Sequence, residues 1–347
     1  MNIYFLRSYL LLIPLLLLST LAFCQNDALK AVAKKGDGIY TLLRRYGLNA
    51  SHLQDFLHLN QDNLGKDNSL YAGRTYLLPA ATAATTEKEP TPLKSENASA
   101  SARTLKVPLF GNAYERVEVK DRKLSGAVYY LSSGHGGPDP GAVGKYGPYA
   151  LAEDEYAYDV TIRLARTLME HGATVYMIVQ DKDDGIRDES ILKMDRDEIN
   201  YPDKKLAYNQ RERLHQRTSA INRLYAQNKG AYQRMLEIHV DSRSEGQNID
   251  VFFYHHDNSA LGQKMAQSIH QTFTKNYKRY QPNRDYFGTV SDRSTLYVVK
   301  YSHPPTVFIE LGNIRNTLDQ RRFVIANNRQ ALANWICEGI IQDYRSR

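Results

Sequence analysis

The chain has 347 residues, enough for two domains at the usual ~100–200 residues each. With 42% hydrophobic and 24% charged residues it has the balance of a folded globular chain, which excludes a disordered one. Its net charge of +7 suits an anionic polymer, but the absence of a basic block or groove-reading motif argues against nucleic acid as a partner.

The first residues read MNIYFLRSYLLLIPLLLLSTLAFCQN. Arg7 precedes a short apolar run that ends in small residues, the pattern of a cleaved export signal over residues 1–24. Ala22-Phe23-Cys24 then offers a small-x-small cleavage site, with Gln25 as the first mature residue. Lipid attachment through Cys24 is the alternative, and Phe23 fits poorly just before a lipidated cysteine. The run is interrupted by Pro14 and falls short of the ~20 residues a span requires, so no integral membrane span is expected in the mature chain. The expected location is periplasmic or extracellular. Cleavage would leave Cys337 alone, so no internal disulfide is expected and stability must come from a core or a metal.

Residues 32–79 form the first expected module. Gly36-Asp37-Gly38 reads as a turn, Ile39, Leu42, Leu43 and Tyr46 share a helical spacing, and Leu53, Phe56 and Leu57 repeat it. AGRTYLLPA closes the segment as a turn and short strand, giving a strand-helix-helix-strand unit. With Gly36-Asp37, Tyr46-Gly47, Asn60 and the stretch from Gly73 to Pro79, the segment resembles a LysM module. That resemblance implies binding to N-acetylglucosamine-containing glycans such as peptidoglycan. Residues 80–103, rich in Ala, Thr, Ser and Pro with Leu93 as their large apolar residue, read as a flexible linker.

In residues 104–347, strand-like runs alternate with helix-like ones. AVYYLS, ATVYMIV, RMLEIHV, IDVFFYHH and TVFIEL are short, β-branched or aromatic, and bounded by turn residues. Residues 153–170 place Ala157, Val160, Leu164 and Leu168 on one helical face, and residues 206–228, 260–277 and 318–344 are also expected to be helical. This alternation predicts an α/β domain, a sheet flanked by helices.

SSGHGGPDPGA follows the first of these strands, and its glycines let the backbone pass close to a bound group while leaving His135 at a cleft. Glu153 opens the next helix, and His239 lies near the end of RMLEIHVDS. Two neutral imidazoles and a carboxylate are a ligand set that holds Zn²⁺ and leaves a fourth position open.

Taken with EDEYAYDVTIRLARTL, RTSAIN, EIHVDS and PPTVFIELGNIRN in this order, the segment resembles the zinc-dependent N-acetylmuramoyl-L-alanine amidases of the amidase-3 type across about residues 125–345. The resemblance implies a Zn²⁺ cofactor held by His135, Glu153 and His239, with Glu310 as the catalytic carboxylate. It also implies hydrolysis of the amide between N-acetylmuramic acid and L-alanine in peptidoglycan. Zinc would lower the pKa of its water to ~7, and Glu310, exposed at a strand end, would take the proton and return it to the departing amine. A non-catalytic peptidoglycan-binding protein on the same fold and a zinc peptidase cutting the stem peptide are the alternatives.

The pattern departs from the family where an acidic residue often precedes the glycine turn by two positions. Ser132 and Ser133 stand there, leaving the support of His135 open. Glu237 and Asp241 flank His239 on its strand face and are candidates to support it or to compete as ligands. Glu155 is the main competitor of Glu153, while His255, His256 and His303 are expected to be polar surface or substrate contacts. The charged residues 181–205 read either as a solvated loop or as a flap over substrate. The short stretch 241–249 leaves little room for a built-in inhibitory helix there.

Overall fold

A computed structural model describes residues 29–79 other than 35, 36, 47, 49–51, 66 and 67, and residues 103–347 other than 242–248. The expected leader with Cys24, nearly all of the linker, and Gly36 and Gly47 lie outside the described residues. The chain divides into two compact units, Met1–Glu87 and Lys88–Arg347. Among the described residues, no helix is long and apolar enough to cross a membrane.

In the first unit the order is β1 (Lys30–Val32), α1 (Ile39–Arg45), α2 (Leu53–Leu59) and β2 (Thr75–Leu77), with β1 and β2 antiparallel. Ile39, Leu42, Leu43 and Phe56 are buried together as the helical spacing predicts. Tyr46 departs from it: α1 ends at Arg45, Tyr46 is exposed, and Leu48 enters the core instead. Asn60 ties the end of α2 to β2, because its amide donates to Phe56 O and Leu77 O and its Oδ1 accepts from Leu77 N, each at 2.8 Å. A buried amide whose donors and acceptor are all used fixes where the second strand docks.

The second unit begins with β3 (Thr104–Lys106) and β4 (Arg116–Glu118), which pair antiparallel, and continues through β5 (Ala127–Ser133), β6 (Val143–Tyr146), β7 (Tyr149–Ala152) and α3 (Glu153–Glu170). Next come β8 (Thr174–Met177), β9 (Val179–Gln180), β10 (Ile199–Asn200), β11 (Lys204–Lys205), α4 (Gln210–Gln227) and β12 (Tyr232–Asp241). The chain then runs through β13 (Phe252–His255), α5 (Ala260–Tyr280), β14 (Thr289–Asp292), α6 (Tyr297–Tyr301), β15 (Thr306–Asn313), α7 (Thr317–Val324) and α8 (Ala326–Arg345).

A mixed six-stranded sheet in the order β14-β13-β15-β12-β5-β8 forms the centre. Its neighbours are parallel except β13 and β15, which run antiparallel. This is an α/β fold with a sheet flanked by helices. Period-two alternation sorts the side chains between its two faces. Tyr129, Leu131, Leu236, Ile238, Val307 and Ile309 join the large core that includes residues of α3, α5 and α8. Val128, Tyr130 and Met235 face α4, and Phe308 packs with Val298 and Val299 of α6.

Three elements differ from the sequence reading. ATVYMIV splits into β8 in the central sheet and β9 in a small antiparallel sheet with β10 and β11. The expected helix over residues 318–344 breaks at Ile325, whose backbone is extended, and Arg329 donates to the Phe323 carbonyl that ends α7. Edge strand β14 is polar and short, and periodicity alone does not reveal it.

The interior of α3 also carries a charged network. Asp159 Oδ2 lies 2.6 Å from Arg163 Nε and 2.5 Å from Arg329 Nε, all three side chains being fully buried. Asp159 Oδ1 accepts from Arg187 N at 2.9 Å. Both guanidiniums also donate to the Arg187 carbonyl, so the triad anchors the 181–205 segment against α3. Burial pushes the Asp159 carboxyl up, but Arg329 and Arg163 outweigh it and hold it below the usual carboxylate range.

Candidate functional site

His135 sits in the turn after β5 with φ of 60°, in the left-handed region that side chains rarely enter. Gly134 must precede it, because a Cβ there would come within 2.2–2.5 Å of the His239 ring. Gly141 is required for a similar reason, since its Cβ would lie 2.7 Å from both Glu153 Oε2 and His135 Cδ2. The glycines therefore make room for functional side chains and not only for the turn.

Glu153, at the start of α3, stands behind the β6-β7 hairpin and not directly behind a loop. Its Oε1 accepts from Val240 N at 3.1 Å and lies 2.9 Å from His239 Nδ1. Its Oε2 accepts from Ala142 N at 2.9 Å and lies 3.3 Å from His135 Nε2. His239 comes from β12, where its ring stacks on Phe308 at a centroid distance of 4.3 Å. Ligand atoms of His135, Glu153 and His239 lie within 4.8 Å of one another.

Glu310 joins this group through strand register, which pairs His239 on β12 with Glu310 on β15. The two residues share a face because both alternate against inward Ile238 and Ile309. The expectation that Glu310 is exposed at a strand end is corrected in part: β15 continues to Asn313, and Glu310 is half-buried, its Oε2 covered and without a hydrogen-bond partner among the described residues. Burial pushes its carboxyl up to about 8, against the favourable field of His239.

Each imidazole has a carboxylate on the side away from Glu153. His135 Nδ1 is 3.0 Å from Asp139 Oδ2, and Asp139 is held in turn by Arg213. His239 Nε2 is 3.7 Å from Glu237 Oε1, and Glu237 pairs with Arg217 at 3.2 Å. Arg217 also donates to the His135 carbonyl, bracing the left-handed turn. Asp139 thus stands where the sequence left the support of His135 open. The signal for it lay inside SSGHGGPDPGA, four residues after the histidine, but only a sharp turn brings that spacing into contact. Asp241 lies beyond a register shift after His239.

The electrostatics favour a cation. Burial pushes the Glu153 carboxyl up, but hydrogen bonds to His135 and His239 hold it well below the usual carboxylate range. Burial opposes charge on His239, yet Glu153, Glu237 and Glu310 hold the ring up to about 10. A bound cation would meet the same excess of negative charge while the imidazoles stay neutral. The unpartnered Glu310 oxygen and the nitrogen-oxygen donor set both fit a metal of the zinc type.

Glu155, the competitor of Glu153, turns away to Arg187 at 2.9 Å and to Asp195 N at 3.0 Å. His255 is buried and bonds to the His256 carbonyl, whereas His256 and His303 line a separate cavity of about 250 Å³. Residues 181–205 are not a solvated loop, because Asp181, Ile186, Leu192, Glu198 and Asn200 are buried. Glu198 reaches the glycine turn itself and accepts from Gly137 N at 2.6 Å. Beside the site, a cleft of about 530 Å³ is lined by Val143, Lys145, Tyr149 and Arg315.

Fold and site together are those of an α/β protein with a His-Glu-His cluster beside a further buried carboxylate. Residues 81–342 match the family model described as N-acetylmuramoyl-L-alanine amidase, and the chain belongs to that family. It is 24% identical over 226 residues to the germination-specific N-acetylmuramoyl-L-alanine amidase of Bacillus subtilis (strain 168), covering 65% of this chain and 82% of that protein. Among solved structures, the amidase AmiC2 of Nostoc punctiforme is 19% identical, with 65% of this chain and 99% of that one covered and a TM-score of 0.45. Ami1 from Mycobacterium smegmatis is 16% identical over the same shares, with a TM-score of 0.47.

Proposed function

We propose that this chain is an exported zinc hydrolase that cleaves the amide between N-acetylmuramic acid and L-alanine in peptidoglycan, and that its first unit, a LysM-like module, holds it on the glycan. The observation that carries this reading is the convergence of His135, Glu153 and His239, with ligand atoms within 4.8 Å, at a strand register that aligns Glu310 with His239. Zinc held by the three residues supplies Lewis acidity toward the amide carbonyl and makes water nucleophilic near neutral pH.

The chain's own groups perform the remaining work. Glu310 takes a proton at its carboxylate from the attacking water and returns it to the departing amine. Asp139 fixes the tautomer and direction of the His135 ring, and Glu237 places negative charge 3.7 Å from His239 Nε2. Lys145 and Arg315 line the neighbouring cleft and give it positive charge suited to an acidic stem peptide.

Mass spectrometry of digested peptidoglycan tests the reaction: free stem peptides beginning with L-alanine, together with unsubstituted muramic acid, are expected. Products cut within the stem, or no products from zinc-loaded protein, would exclude it. Removing residues 25–103 is expected to weaken binding to intact walls much more than turnover of soluble muropeptides, and equal losses would argue against glycan targeting.

Asp139→Ala is expected to lower zinc affinity by about 10–100-fold, because His135 loses the group that orients it. Competition with a chromogenic chelator measures this. Asp139→Asn, which keeps an acceptor oxygen, should recover part of the loss, and identical behaviour of the two variants would mean that Asp139 does not orient the ring.

A further inference from the structure

A second group of acids lies next to this centre, outside the proposed ligand set. Asp154 and Glu155 follow Glu153 in the first turn of α3, and Glu198 arrives from the segment before β10. Their carboxylates lie within 4.8 Å of one another, and the three residues are only 1%, 1% and 3% exposed. Among the described residues one guanidinium pairs with the group: Arg187 is 2.9 Å from Glu155 Oε2, and it is shared with Asp184. The neighbouring Arg213 and Arg217 are engaged by Asp139 and Glu237.

Three buried carboxyl groups thus face one shared guanidinium. Backbone N–H groups meet part of the demand, from Glu155 to Asp154 Oδ1 at 2.9 Å, from Asp195 to Glu155 Oε1 at 3.0 Å and from Gly137 to Glu198 Oε2 at 2.6 Å. Asp154 Oδ2 is buried and has no hydrogen-bond partner among the described residues. A buried carboxylate oxygen without a partner is costly unless something positive meets it. The donors are all oxygens, which suits a hard cation and contrasts with the imidazoles of the neighbouring centre.

We propose that Asp154, Glu155 and Glu198 form a second cation site that takes a hard divalent ion of the calcium type. A calcium ion accepts carboxylate oxygens in flexible geometry. The site joins three parts of the unit: the start of α3, the 181–205 segment, and, through Glu198 and Gly137 N, the turn that carries His135. Its role is to hold that segment against the turn.

Calcium chloride titrated into the zinc-saturated full chain tests this by calorimetry, with thermal unfolding followed in parallel. One equivalent is expected to bind, with the unfolding midpoint rising by several degrees at a hundredfold excess over the dissociation constant. Asp154→Asn is expected to abolish both responses while the calcium-free chain still unfolds in a single cooperative transition. Asp197→Asn, in the separate group formed by Asp181, Asp195 and Asp197, is expected to keep both responses. Absence of heat and of any shift would mean that shared protons balance the trio, and the proposal would fail. A response that survives Asp154→Asn, or that disappears in Asp197→Asn, would overturn it equally.

Discussion

Glu310→Gln is expected to reduce cleavage of muropeptides by about 10²–10⁴-fold while zinc content stays at the parent level. The substitution keeps the shape of the side chain and removes its ability to exchange a proton. Glu310 is aligned with His239 but is not one of the three mutually close ligand residues, so metal affinity has no reason to fall. Stability should hold, because Gln keeps the size of a half-buried side chain. Paired measurements of turnover and metal content separate these effects. Parent-level turnover would end the acid-base assignment, and loss of zinc would move Glu310 into the ligand set.

Asp159→Asn is expected to destabilise the second unit by about 3–5 kcal/mol, since it leaves two buried guanidiniums without their shared carboxylate. For a unit of this size that corresponds to a fall of roughly 6–20 °C in unfolding midpoint. The pH dependence follows from the depressed carboxyl. Its folded-state pKa lies below the unfolded value of ~3.9, so its contribution is complete above that value and fades as pH falls toward the folded one. The parent should therefore lose stability below about pH 4 more steeply than the variant, and the two should converge in acid. Denaturant unfolding at several pH values checks this, and a constant gap down to pH 2 would show that the charge of Asp159 is not what stabilises the triad.

Much of the architecture was legible because its signals are local. Residues 153–170 bury Ala157, Val160, Leu164 and Leu168 as their helical spacing requires. The strands around His239 and Glu310 bury Ile238 and Ile309 on the opposite face, as alternation requires. Less legible were the elements set by distant partners. The break at Ile325 depends on Arg329 reaching back to Phe323 O, and β9 leaves the line of β8 to pair with β10. Residues 181–205 read as a solvated loop or a flap because they are charged, yet Asp159 and Glu155 anchor their backbone from α3. Composition reports the charge of a segment but not whether another element satisfies it.

By itself, the amino-acid sequence determined the alternation of strands and helices, the turn that carries His135, and the faces on which His239 and Glu310 lie, because periodicity and glycine conformation act over a few residues. Only the tertiary structure decided that His135, Glu153 and His239 meet, that Asp139 rather than a residue before the turn steadies His135, and that Glu310 lies within a continuing strand and not at its end. These depend on the parallel register of β12 with β15 and on the docking of the β6-β7 hairpin. Such pairings join residues far apart in the chain, and their geometry is set by packing of the whole sheet.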